Sequence, residues 1–134
     1  MSHYSKIQTQ FRDLATLVEQ LKARYSEVEV HEKAQTLYDW HGNSRPEQAE
    51  VIVRRVNIGF ASNDLGFHKT TDGTYEAIIS DYDRHNYCTE KWLGELTQDY
   101  AESVIAKRML SKRFSLVSKK LEDGKRKLVY RRMS

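Results

Sequence analysis

A short acidic stretch, followed by a histidine and the only cysteine, is the first group of residues whose types could do chemistry. The residues are Asp81, Asp83, His85 and Cys88. In a β-strand the first three would project from one face, because alternate side chains of a strand share a face. Two carboxylates, an imidazole and a thiol could then hold a divalent metal ion. The same residue types are also common in a loop between a strand and a helix, and this interpretation is favoured. We therefore expect no metal, no cofactor and no catalytic residue.

The C-terminal end concentrates the positive charge of the chain. Residues 105–134 contain eleven lysines and arginines and two acids, whereas the first 104 residues contain 11 bases and 17 acids. A basic segment of this density attracts nucleic acid, another polyanion or an acidic protein surface. The residues predicted to bind such an anion are Lys107, Arg108, Lys112, Arg113, Lys119, Lys120, Lys125, Arg126, Lys127 and Arg131.

The basic residues have a second interpretation, in which they only keep an edge strand soluble. Recognition-helix, zinc-finger and ribonucleoprotein motifs are absent from the sequence, and no ladder of aromatic residues interleaves the bases. Nucleic acid would therefore be bound through its phosphates, with shape rather than base sequence recognised. The motifs of zinc proteases, redox cysteine pairs and phosphate-binding loops are also absent, so we expect a non-enzymatic protein.

Composition predicts one globular domain covering residues 1–134. The chain is 39% hydrophobic and 31% charged, which is enough apolar material for one core and a well-solvated surface. No apolar run reaches the length of a membrane helix, and no signal peptide is recognisable at the start. A single cysteine fits a reducing compartment, so we expect a cytoplasmic location.

The hydrophobic spacing predicts an α+β fold. Helical periodicity indicates a helix over 13–25 begun by Asp13, and a long helix begun by Thr89. Alternating patterns predict strands over 5–11, 27–31, 36–40, 49–54, 58–60, 65–70 and 74–80, and a last pair over 114–121 and 125–131. Because strands follow strands through short turns, we expect a mainly antiparallel sheet with two amphipathic helices on one face.

The last two strands are predicted to form a hairpin around Asp123 and Gly124. A two-residue turn there places Glu122 opposite Lys125 and Lys120 opposite Lys127. One face of the hairpin would then show Lys120, Lys127 and Arg131. The opposite face, predicted to point towards the core, would show Val117, Leu121, Leu128 and Tyr130.

Several segments resemble a known family. The opening Met-Ser-His-Tyr-Ser-Lys-Ile-Gln-Thr, followed by Asp13 and Leu14, is similar to the start of a small uncharacterised family of cyanobacteria, other bacteria, phages and algal plastids, where it is a hypothetical chloroplast reading frame. The segments 65–67 and 72–76 resemble its central hairpin, and 98–101 and 128–132 resemble its C-terminal end. The resemblance implies a compact fold without an established activity, as in an accessory subunit.

Three functions from different classes follow. The favoured one is an accessory interaction protein whose basic end contacts an anionic partner. The first alternative is a protein–protein adaptor that uses the acidic N-terminal two-thirds and the loop from Tyr38 to Arg45, which contains Trp40 and His41. The second is a metal-dependent enzyme at Asp81, Asp83 and His85.

Overall fold

A computed structural model describes residues 3–133 of the chain. Its strands are β1 (Tyr4–Ile7), β2 (Glu29–Tyr38), β3 (Ser44–Val53), β4 (Leu65–Lys69), β5 (Tyr75–Ser80), β6 (Phe114–Glu122) and β7 (Lys125–Arg132). Its α-helices are α1 (Leu14–Lys22), α2 (Asp81–Asn86) and α3 (Glu90–Ser111), with a 3-10 turn at Arg55–Asn57. All strand pairs are antiparallel, which confirms the predicted α+β fold class.

The strands form two separate sheets. One has five strands in the order β1-β5-β4-β3-β2, and the other contains only β6 and β7. The described chain accordingly divides into two compact units, the first ending at Tyr100 and the second beginning at Ala101. The prediction of a single domain over residues 1–134 stays a prediction.

The core of the first unit lies on the five-stranded sheet. A cluster of side chains from three strands, Leu37, Ala49, Ile52 and Ile78, is fully or almost fully buried, and Tyr4 packs against it. A second cluster consists of three aromatic rings. The centroid of the Phe11 ring, in the loop before α1, lies 6.1 Å from that of Phe67 in β4 and 4.8 Å from that of Tyr100 in α3. Through Phe11, these rings join α3 to the sheet, and α1 buries Thr16, Leu17 and Leu21. Burial of apolar side chains is the main favourable term in folding.

The helix starts agree with the sequence signals. Asp13 occupies the N-cap position of α1 with extended backbone angles, and its carboxylate accepts a hydrogen bond from the Thr16 hydroxyl. The Thr89 hydroxyl accepts from the Trp92 N–H at 3.2 Å at the start of α3. Among the helices within residues 3–133, none combines the length and apolar character needed to cross a bilayer.

Four expectations about the elements are wrong. The segments 27–31 and 36–40 belong to one strand, β2, which has an irregular register against β3. No strand covers 58–60, where the chain leaves a 3-10 turn. The first strand ends at Ile7 rather than near Phe11. Residues 81–86, for which a loop is the favoured expectation and a strand the alternative, form helix α2 instead, because the Ser80 hydroxyl accepts from the Asp83 N–H at 3.1 Å and begins the helix.

Candidate anion-binding surface

The second unit is a helix end joined to a hairpin. Helix α3 ends at Ser111, and Arg113 then adopts a left-handed conformation with φ of 67° that reverses the chain into β6. The Met133 N–H donates to the Arg113 carbonyl at 2.7 Å, which ties the end of β7 to this reversal. All ten residues predicted to bind an anion therefore lie in this one compact unit.

The predicted hairpin turn and register are confirmed. Asp123 and Gly124 both have positive φ, 49° and 76°, as a type I′ turn requires. Glu122 pairs with Lys125 and Lys120 pairs with Lys127. The register shifts by one residue between Leu116 and Ser118, which leaves Val117 in a bulge.

One face of the hairpin holds its basic residues against a carboxylate of α3. Lys119 Nζ lies 2.7 Å from Glu102 Oε1, and Arg126 Nη1 lies 3.0 Å from Glu102 Oε2. Hydrogen bonds from Lys119 and then Arg126 lower the pKa of the Glu102 carboxyl below its usual value. Lys119 and Arg126 therefore neutralise an acid of their own protein, and we call this side of the hairpin the paired face.

The opposite side, the open face, carries the bases Lys120, Lys125, Lys127 and Arg131, together with Glu122, which pairs across the strands with Lys125. All four bases are exposed, and none has a hydrogen bond or ion pair to another side chain within residues 3–133. Lys120 and Lys127 lie directly across from each other, so their ammonium groups repel unless an anion neutralises them. The structure thus separates the basic residues of the hairpin into a neutralised set and a solvent-facing set.

The inward-pointing set predicted for the hairpin is only partly correct. Leu128 and Tyr130 are half-buried, but Leu121 is 73% exposed and Val117 is 47% exposed. Leu121 stands next to the turn, and the bulge turns Val117 out of the regular alternation. The alternation of apolar and polar residues in the sequence predicts neither the exposure of Leu121 nor the bulge at Val117.

Four further bases, Lys107, Arg108, Lys112 and Arg113, are exposed at the end of α3. They are adjacent in the chain to β6, and Phe114 pairs with Arg132 at the base of the hairpin. Since residues 101–134 carry eleven bases and three acids, one of which is Glu102, the unit presents a strong positive field to solvent.

The candidate metal ligands do not converge. Asp83 is buried in α2, where its Oδ2 accepts from the Ser62 hydroxyl and the Asn63 N–H, each at 3.1 Å. Burial raises the pKa of the Asp83 carboxyl. His85 Nδ1 lies 2.8 Å from the Asp81 carbonyl one turn earlier, so that ring nitrogen is occupied by helix backbone.

Cys88 is fully buried, and its Sγ lies 4.0 Å from the Tyr25 hydroxyl. Burial raises the pKa of this thiol to about 12, which disfavours the thiolate that a metal or a nucleophile requires. Within the described residues no group of three His, Cys, Asp or Glu side chains is close enough to hold a metal ion. The metal-enzyme alternative required Asp81, Asp83 and His85 to project from one face of a strand, but these residues lie in helix α2.

The predicted loop from Tyr38 to Arg45 is shorter in the structure, because Tyr38 ends β2 and Ser44 begins β3. The remaining connection, residues 39–43, is held in one conformation by a buried acid. Asp39 is 8% exposed, and its Oδ1 accepts from the His41 and Asn43 N–H groups, each at 3.0 Å. The Trp40 N–H donates to Asn63 Oδ1 at 2.9 Å. Tyr38 is 41% exposed and Trp40 is 48% exposed, so the end of β2 and this connection present aromatic surface on an ordered backbone.

Comparison with known proteins identifies the family of the chain. The sequence model of a family described as a protein of unknown function, DUF1257, matches residues 12–129. The chain belongs to this family, and the match covers most of both units. No curated protein and no solved structure matches the chain.

Proposed function

We propose that this protein is a non-enzymatic accessory protein of the cytoplasm that binds the phosphate backbone of a nucleic acid. The open face and the bases at the end of α3 form the binding surface. The observation that carries the proposal is the exposed Lys120–Lys127 pair, two like charges that lie directly across from each other, neither with an ion pair to a side chain within residues 3–133. Such a pair costs stability on its own and is relieved by an anion that lies between the two ammonium groups.

The spacing of the open face suits a repeating polyanion. Along β7, Lys125, Lys127 and Arg131 all point to this face, and a strand rises about 3.3 Å per residue. The three charges therefore span roughly 20 Å, over which duplex DNA presents one negative charge per about 1.7 Å of its axis. Each basic side chain can reach a phosphate without any requirement for base sequence.

The test is a comparison of two triple variants that change charge equally. One variant replaces Lys120, Lys127 and Arg131 by Ala. The control replaces three exposed lysines of the first unit by Ala, namely Lys22, Lys33 and Lys69. Affinity for a fluorescently labelled RNA or DNA duplex is measured by anisotropy at fixed salt.

We expect the open-face variant to lose at least about tenfold in affinity, because three charge pairs of about 0.5–1 kcal/mol each are removed. The control should change affinity by less than about threefold. Duplexes of shuffled sequence should bind alike. Equal losses in both variants would show that only net charge matters, and an absence of duplex binding would contradict the proposal.

A second candidate function is a protein–protein adaptor, which the exposed Tyr38 and Trp40 at the ordered connection between β2 and β3 favour. In this case a nuclease-treated native extract should still yield a partner on the immobilised protein. Capture should be lost on Trp40→Ala and kept by the open-face variant. Capture that requires intact nucleic acid, or that survives Trp40→Ala, argues against the adaptor.

A further inference from the structure

A cavity of about 390 Å³ in the first unit is open to solvent and lies apart in the chain from the basic hairpin. Its volume is within the range of small-ligand sites, which is roughly 300–1,000 Å³. Its lining residues are Arg24, Tyr25, Ile58, Tyr87, Trp92 and Glu95. Three of these six side chains are aromatic, as is common in ligand sites.

The Tyr25 and Trp92 rings line the cavity at an angle to each other, and the Tyr87 ring lines it as well. The Tyr25 and Trp92 ring centroids are 6.4 Å apart, with 51° between the ring planes. The Tyr87 ring lies directly on the backbone of Gly59, where any Cβ would overlap it. All three rings are half-buried, so each is fixed by packing and still shows surface to the cavity.

The charges around the cavity leave a net negative group. Arg24 is neutralised by an ion pair with Asp99, and its Nη1 also donates to the Gln20 carbonyl at 3.0 Å. Glu95 is exposed and has no hydrogen bond or ion pair within residues 3–133. It lies three residues after Trp92 on α3, which puts both side chains on the same face of the helix.

Burial keeps the Tyr25 phenol in its neutral form. Burial raises the pKa of Tyr25 above its ordinary value, and its hydroxyl lies beside the Cys88 sulfur. The cavity therefore offers electron-rich ring faces and one carboxylate, with the single guanidinium already paired. Aromatic faces attract organic cations through the ring quadrupole, most strongly when the cation is poorly hydrated.

We propose that this cavity binds a methylated ammonium group, with Tyr25, Tyr87 and Trp92 as an aromatic cage and Glu95 as its counterion. Such a group is the head of a free quaternary amine or the end of a trimethylated lysine side chain. The two sources share one chemistry. This site is independent of the nucleic-acid proposal, because its residues all precede Tyr100 and the basic hairpin follows it.

The test uses choline and its neutral isostere 3,3-dimethyl-1-butanol as probes, measured by calorimetry and by the indole N–H shift of Trp92 in NMR spectra. Choline should bind saturably and shift the Trp92 signal. The isostere has the same shape without the charge, and it should bind about 3- to 30-fold more weakly. Nε-trimethyllysine is the third probe, and its affinity relative to choline distinguishes a peptide source from a free amine.

The variant Glu95→Gln should weaken choline about 2- to 5-fold and leave the isostere unchanged, because it removes only the counterion. The matched control is Glu90→Gln on the same helix, outside the cavity lining, which should leave choline affinity as it is. Equal binding of choline and its isostere would overturn the proposal. Failure of all three probes to bind saturably, or equal effects of the two glutamate variants, would also overturn it.

Discussion

Arg126 and Lys127 are neighbours on β7 that carry the same charge on opposite faces of the hairpin. Arg126 is on the paired face, with its side chain 25% exposed and its Nη1 3.0 Å from Glu102 Oε2. Lys127 is exposed on the open face and pairs across the strands with Lys120. Replacing either one by Ala removes one positive charge, in one case from the paired face and in the other from the open face.

The two substitutions should differ in how much stability the hairpin loses. Arg126→Ala removes a partly buried, charge-assisted hydrogen bond, and Lys119 remains to compensate the Glu102 carboxylate. We therefore expect a loss of about 0.5–1.5 kcal/mol of local stability, above the median for surface ion pairs but below the cost of an orphaned buried charge. Lys127→Ala relieves cross-strand repulsion worth a few tenths of a kcal/mol and loses no partner, so its effect should be near zero.

Native-state hydrogen exchange of the β6 and β7 amides measures this local stability. Arg126→Ala should accelerate exchange in the hairpin about 2- to 12-fold, while Lys127→Ala leaves it nearly unchanged. The same two proteins should show the reverse order in duplex affinity, with Lys127→Ala the weaker binder. Faster exchange in Lys127→Ala than in Arg126→Ala would refute the assignment of the two faces.

Three further changes test other parts of the account. Gly66→Ala should lower the free energy of unfolding, measured by urea denaturation, by about 1–2 kcal/mol, because the new Cβ would lie 2.7 Å from Ala49 Cβ. Gly94→Ala should raise it by about 0.5–1 kcal/mol, because a Cβ at this position of α3 meets no atom within 4 Å. Glu102→Gln should lower the melting temperature at neutral pH. That deficit should persist above the ordinary glutamate pKa of about 4.5 and vanish as pH falls through the lowered pKa of the folded state. Arg113→Gly should raise the free energy of unfolding, measured by urea denaturation, by about 0.5–1 kcal/mol, because a left-handed φ of 67° strains any residue with a Cβ.

Local signals in the sequence were enough for the turns and most helix starts. The Asp-Gly pairs at 72–73 and 123–124 lie in turns of observed hairpins, and Thr89 begins α3. Turns and helix starts are determined by a few adjacent residues, so they can be predicted from the sequence alone. The register of the last hairpin followed from the turn type for the same reason.

Helix α2 was missed because two patterns competed over the same residues. Asp81, Asp83 and His85 alternate as in a strand, but Ser80 followed three residues later by an acid is an N-terminal helix signal. The burial of Asp83 against Ser62 and Asn63 is a tertiary contact that neither pattern contains. The metal hypothesis depended on the strand interpretation and loses its geometry with it.

The division of the basic residues into two faces was beyond sequence reasoning. Glu102 lies 17 residues before Lys119 in the chain, and nothing local predicts that it pairs with Lys119 and Arg126 at once. The cavity at Tyr25 and Trp92 likewise brings the segment that follows α1 together with α3, although the two are far apart in the chain. Such contacts arise from tertiary packing, which amino-acid patterns constrain only weakly.

The salt dependence of duplex affinity tests the central claim most directly. Each phosphate contact releases condensed counterions, so the slope of log affinity against log salt is about −0.9 per contact. We expect the variant with Lys120, Lys127 and Arg131 replaced by Ala to have a slope shallower by about 2 to 3 than that of the unmodified protein. The control with Lys22, Lys33 and Lys69 replaced should keep the original slope. Identical slopes for all three proteins would contradict the open face as the site that holds the nucleic acid.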